Sequence, residues 1–208
     1  MTSLTVVIVN ASEVLSSPSS PTHARSTAND TLQRLWTRDA NELIASATTI
    51  LQSDYPVQAK FHALIAVREL FLRRHHELQN LLTPTLSFLL NGMFSSAPTT
   101  PATVLRTLIN TNATLLKLSL LSTQEDQSQL LTQMLSMQPT EISLNLLTHL
   151  LQQLSRPHGG LTLEVHEICH QRYQQQFLNQ TLTIAAGSVV ATTPTTATPT
   201  TATPTTAT

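Results

Sequence analysis

His166-Glu167-Ile168-Cys169-His170 is the stretch of this chain whose residue types and spacing spell out a recognisable chemistry. On a helix the two imidazoles stand one turn apart and could hold a zinc ion, with Glu167 as the general base that activates a bound water. A catalytic zinc also needs a third protein ligand, and after His170 the chain has no His, Asp, Glu or Cys. The ligand would have to come from upstream. A five-residue pattern is short enough to arise by accident, so a zinc hydrolase through His166, Glu167 and His170 is the minor reading. The glycines Gly92, Gly159, Gly160 and Gly187 cannot assemble a phosphate-cradling loop or a dinucleotide fingerprint, and no Gly-x-Ser-x-Gly elbow occurs. Catalysis is therefore the minority reading, and no metal or cofactor is expected.

The other concentrations of chemistry are basic. Arg73-Arg74-His75-His76 forms a small knot that reads first as a solvated helix terminus, where cations complement the dipole, and second as a contact for an acidic partner. Trp36 reads as a core plug at a helix end. Across all 208 residues, 11 Lys and Arg stand against 12 Asp and Glu, a net charge of -1. Such a balance gives no chain-wide field for direct nucleic-acid binding. Only 11% of residues are charged, far below the roughly 25% usual in soluble chains. The lone cysteine, Cys169, cannot form an internal disulfide, which favours a reducing compartment.

The elements that must position these groups are leucine-rich segments of helical period separated by breaks. Ala40, Leu43, Ile44, Ala47, Ile50 and Leu51 follow one helix face between Asp39 and Gln52. Pro56 opens a second segment in which Val57, Phe61, Leu64, Ile65, Leu70 and Phe71 occupy nearly every face, as in a helix enclosed by neighbours. A third runs from Glu77 to Asn91, with Thr83 and Pro84 as N-cap and first helical residue and Gly92 as a left-handed stop. Further segments cover Thr103 to about Leu121, then Thr123 onward with Leu130, Leu131, Met134 and Leu135. Pro139 begins another, striped by Ile142, Leu146, Leu147, Leu150, Leu151 and Leu154 and closed by Pro157 and Gly159-Gly160. At the front, Leu4 to Leu15 and Asn29 to Trp36 make a further helix pair, although Val6 to Val9 alone would suit a strand.

These segments predict an all-α fold. Pairs starting near Asp39, Glu77 and Thr123 are roughly 40 residues apart, the interval of HEAT-type repeats, which favours an α-solenoid of antiparallel helix pairs, HEAT- or armadillo-like, over a bundle. The expected division is an N-terminal segment over 1–22 that includes a possible first helix, repeats over 23–186, and a low-complexity tail over 187–208. That tail ends in three copies of Pro-Thr-Thr-Ala-Thr from Pro194 and should be extended and disordered. Met1 to Ser12 lacks the basic start of a signal peptide, and no window reaches 18 apolar residues, so no membrane association is expected. The sequons at Asn10, Asn29, Asn112 and Asn179 are expected to be unused.

Two patches carry a resemblance. In the stretch from Tyr55 to Arg74, Phe61, Ala63, Val67 and Glu69 stand in positions similar to those of a Phe-x-Ala-x-x-x-Ile-x-Glu run of the long helix in an early repeat of importin-β-superfamily nuclear transport receptors, which this stretch resembles. Gly160-Leu161-Thr162-Leu163-Glu164-Val165-His166, then Cys169 and Arg172-Tyr173, resembles a segment of the exportin-4 family within that superfamily. The similarity spans about residues 10 to 185 and is to the front of much longer superhelices. It departs from the family where His75 and His76 stand in place of a tryptophan and where Val165 replaces an aromatic. The resemblance implies a nuclear export receptor that binds Ran-GTP, protein cargo and nuclear pore components and shuttles between nucleus and cytoplasm. The alternative is a generic armadillo-type scaffold. Arg68, Arg73, Arg74 and Lys117, basic residues on the second helices of early repeats, are the expected partner contacts.

Overall fold

The computed structural model describes residues 3–96, 99–121, 140–156, 161–176, 178 and 182. The expected Thr123 to Leu135 helix, the Pro157 to Gly160 break and the Thr/Pro tail lie outside these residues. Among the described residues every regular element is helical and none is a strand. None of these helices is long and apolar enough to cross a membrane.

The chain opens with α1, Leu4–Ser16, so the Val6 to Val9 run is helical. Ser3 Oγ accepts from the Thr5 N–H at the start, and Leu4, Ile8, Ala11 and Ser12 fall on one buried stripe. α2, Thr22–Gln33, buries only Ala28 and passes into a 3-10 turn, Leu35–Thr37, instead of continuing to Trp36. Leu35 is the buried residue of that turn. Asp39 caps α3, Ala40–Gln52, by accepting from the Glu42 N–H at 2.9 Å. Its Ala40, Leu43, Ala47 and Ile50 are buried as the periodicity requires.

α4, Val57–Arg74, buries Ala59, Ala63, Leu64, Ala66, Val67, Leu70, Phe71 and Leu72, because α1, α3, the 3-10 turn and the later helix α6 cover most of its circumference. α5 runs Gln79–Ser96 and corrects two expectations, since Pro84 lies inside the helix and Gly92 continues it. Leu78 and Leu82 before the proline, and Leu86, Leu89, Leu90, Met93 and Phe94 after it, are all buried. Burying these side chains, at about 1.5–3 kcal/mol each, outweighs the backbone bond that Pro84 cannot donate and the freedom that Gly92 loses.

α6, Ala102–Ser119, is buried at every residue from Thr111 to Ser119. α7, Thr140–Ser155, presents Ile142, Leu146, Leu147, Leu150 and Leu154 to the core. Leu151, expected in the same stripe, is 41% exposed, since it sits to one side of the contact line. α8, Leu163–Gln176, adds Cys169 and Tyr173. The most extensive packing is of α4 on α6 and of α6 on α7. α3 lies on α4 and α5 on α6, across connections too short for anything but antiparallel neighbours. α1 packs on both α3 and α4, and Leu4 and Ile8 belong to the same apolar cluster as the later helices.

A Cβ added at Gly92 meets no atom within 4 Å. Gly92→Ala should therefore stabilise the chain by about 0.5–1 kcal/mol, read as a higher urea midpoint at unchanged m-value.

Candidate functional site

The His166 to His170 pattern does lie on a helix, but α8 turns it inward. His166, Cys169 and Tyr173 share the buried side, while Glu167 is exposed. His166 Nδ1 stands 2.8 Å from Lys117 Nζ. The same amine donates to the Gln153 carbonyl at 2.8 Å. Cys169 Sγ donates to the Lys117 carbonyl at 3.3 Å, and Arg172 Nη1 to the Leu120 carbonyl at 2.8 Å. Gln153 Nε2 reaches Asn110 Oδ1 at 2.8 Å. Lys117, expected on the face offered to a partner, is 1% exposed and belongs to this internal network tying α6 to α7 and α8.

Burial controls the protons here. It pushes the Lys117 amine below its usual range, with a smaller opposing pull from Cys169. It lowers His166 too, assisted by Lys117 and His170 and partly offset by Glu167. A neutral His166 offers the Nδ1 lone pair that the amine needs, so the pair is internally consistent. Cys169 is pushed up to about 11 by burial, against the pull of Lys117 and Arg172, and stays a thiol. Among the described residues no group of three or more His, Cys, Asp or Glu comes together to hold a metal.

The expected basic knot is divided. His75 is 7% exposed and stacks on His76 with ring centroids 3.8 Å apart, and neither of its nitrogens has a hydrogen-bond partner. It is not a solvated terminus, because the end of α4 is covered where α5 begins. Burial, then His76, lowers its pKa, with a smaller opposing contribution from the nearby Leu72 backbone. Arg74 Nε meets Glu77 at 2.9 Å, and its Nη1 donates to the Arg38 carbonyl at 3.0 Å, so it fastens the 3-10 corner to α4.

Arg73 faces outward, whereas Arg68 is largely covered, with 19% of its side chain exposed. Arg73 lies 5.0 Å from the Trp36 ring centre, a cation–π contact, and its Nε is 3.4 Å from Glu69. Trp36 is thus half-buried against the core and also a platform for a surface guanidinium. Arg68 meets the other Glu69 oxygen at 3.3 Å. Two grooves adjoin on this side of α4. One, of about 670 Å³, reaches Arg34 and Trp36 and includes His62, Glu69 and Arg73. The other, of about 590 Å³, includes Arg68 of α4, Arg106 of α6 and His149 of α7. Phe61 and Ile65 line both, so they form one continuous face. Among the described residues its lining carries Arg34, Arg68, Arg73 and Arg106 against a single carboxylate, Glu69.

His62 anchors this face from beneath. Ser12 Oγ donates its proton to the Ile8 carbonyl at 2.6 Å, so His62 Nδ1, 2.9 Å away, must be the donor to Ser12. Burial lowers the His62 pKa, with a smaller opposing contribution from the Gln58 backbone. Sequence reading missed Arg34, Arg106 and His149. The available signal was spacing: Phe61, Ile65 and Arg68 lie at i, i+4 and i+7, as do Thr103, Thr107 and Asn110 on α6 with Arg106 beside them.

No family model, curated protein or solved structure matches the chain.

His62, His75 and His166 are bases held below their ordinary value of 6.5. The unfolded chain takes up protons first, so stability should fall as pH drops below about 6.5 and be free of this penalty above it. Urea unfolding across that range checks the slope, which His166→Asn should make shallower. Iodoacetamide should leave Cys169 unmodified in the native chain and alkylate it once urea unfolds the protein.

Proposed function

We propose that this chain is a protein-binding α-solenoid, the front part of an exportin-type nuclear transport receptor of the importin-β superfamily. In this reading α3 with α4 and α5 with α6 are successive repeats, α7 is the second helix of the next, and the Thr/Pro tail is extended and disordered. The continuous side-by-side packing of α4, α6 and α7 supports it, because stacked second helices form one extended binding surface. The observation that carries the function is the charge of that surface, which among the described residues is lined by Arg34, Arg68, Arg73 and Arg106 against Glu69 alone. Such a face complements an acidic protein.

Ran-GTP is the partner that the resemblance supplies, with protein cargo and nuclear pore components on other surfaces of a longer superhelix. The receptor then works without catalysis. Ran-GTP and cargo affect each other's affinity through a reciprocal coupling free energy, and shuttling between nucleus and cytoplasm follows from where the GTP form is abundant. A general armadillo-type scaffold could use the same face for an acidic partner but would not distinguish the nucleotide state of Ran.

Immobilised chain should bind GTP-loaded Ran in preference to GDP-loaded Ran. Combined Arg68→Ala and Arg73→Ala should weaken that binding by about tenfold while leaving the helical circular-dichroism signal unchanged. Arg74→Ala should instead lower stability, through the lost bond to the Arg38 carbonyl. Equal capture of the two nucleotide forms, or none, would exclude the transport-receptor reading and leave the general scaffold.

A further inference from the structure

Within the basic face, the groove bounded by α4, α6 and α7 has a composition of its own. Each helix contributes one basic side chain, Arg68, Arg106 and His149, and among the described residues no carboxylate lines the groove. Arg106 is exposed and makes no ion pair or hydrogen bond among the described residues. Arg68 spends one Nη on Glu69 at 3.3 Å, whereas its Nε is shielded from solvent and has no partner. The groove therefore holds two guanidiniums with unused donors, beside an imidazole that can donate a further bond.

The chemistry of the complement follows from counting charges and acceptors. With Glu69 already shared between Arg68 and Arg73, a carboxylate brings one further charge and two oxygens and leaves one of the three guanidiniums Arg68, Arg73 and Arg106 uncompensated. A phosphate monoester brings about 1.5 to 2 negative charges and three acceptor oxygens, enough for donors arriving from three helices. Guanidinium forks bind such oxygens in pairs. The groove volume, about 590 Å³, exceeds what a bare ion fills, and Phe61 and Ile65 form an apolar wall beside the cations. A phosphorylated side chain with apolar neighbours uses both features.

We propose that Arg68, Arg106 and His149 form a phosphate-recognition subsite that takes a phosphoserine or phosphothreonine of a protein partner, making association with this face dependent on phosphorylation. This rests on the reading of the face as a protein-binding surface but not on the identity of Ran. The test uses the full chain and fluorescent nonapeptide pools with randomised flanks and a fixed central phosphoserine, serine or glutamate. By anisotropy the phosphoserine pool should bind about tenfold more tightly than either of the others. Arg106→Gln should remove that preference. Because Arg106 is exposed and unbonded, its thermal unfolding should match that of the parent chain, and His149→Gln should reduce the preference in part.

Equal binding of the phosphoserine and glutamate pools would overturn the proposal in favour of a general acidic contact. A preference that survives Arg106→Gln would place the phosphate elsewhere and also overturn it. Inorganic phosphate that displaces the pool at the pool's own affinity would point to a free anion as the ligand and exclude a partner-borne phosphate. A phosphoserine preference in a chain that captures GTP-loaded and GDP-loaded Ran equally separates this subsite from the Ran reading. Failure to bind Ran leaves the peptide result intact.

Discussion

A lysine amine sealed from water must find its hydrogen bonds inside the protein, and Lys117 imposes that requirement on the rear half of the fold. Its Nζ takes the Gln153 carbonyl from α7 and the His166 ring from α8, so three helices meet at one nitrogen. The backbone joins in, since the Lys117 carbonyl accepts from Cys169. Apolar packing alone would tolerate sliding of α7 and α8 along α6. Directed bonds fix their register, because any displacement leaves a buried donor or acceptor unsatisfied at about 1–3 kcal/mol each. With α6 held on one flank by α4 and on the other by α7, Arg68, Arg106 and His149 are brought to the same groove.

The same network explains why a zinc-like spacing does structural work here. One helical turn between His166 and His170 puts two imidazoles on neighbouring positions, but the pattern says nothing about which side of the helix meets the core. His166, Cys169 and Tyr173 follow i, i+3 and i+7, and that stripe is what α8 buries. The helix has few apolar residues and attaches through the amine, the thiol and the Arg172 guanidinium. A weakly apolar helix docked by polar bonds depends on their protonation, and His166 accepts from Lys117 only while neutral.

Much of the helical layout was legible because it depends on local chemistry. Asp39 before a striped segment, Pro56 before a long one, and the leucine spacing of α7 each specify a boundary or a buried face with nearest-neighbour information. The α5 errors have the opposite origin. Pro84 and Gly92 favour ends, but the leucines, Met93 and Phe94 that bury along α5 lie on both sides of them, and tertiary packing prevails over local propensity. Lys117 could not be placed from sequence at all. Its partners lie 36 and 49 residues away, and a lysine on a leucine-rich helix reads as surface until those partners are known.

If the basic face is the protein-binding surface proposed, scarcity of charge is what gives it selectivity. In a chain with a net charge of -1, long-range attraction is weak, and at physiological salt a field fades over about 8 Å. Recognition must then come from groups that touch the partner. Glu69 is shared between Arg68 and Arg73, which holds both guanidiniums in place beside Phe61, Ile65 and Trp36 without neutralising the face. Preorganised cations lose less side-chain entropy on binding than free ones, so a few fixed arginines on a rigid helix layer can discriminate among partners that a diffuse positive field would accept alike.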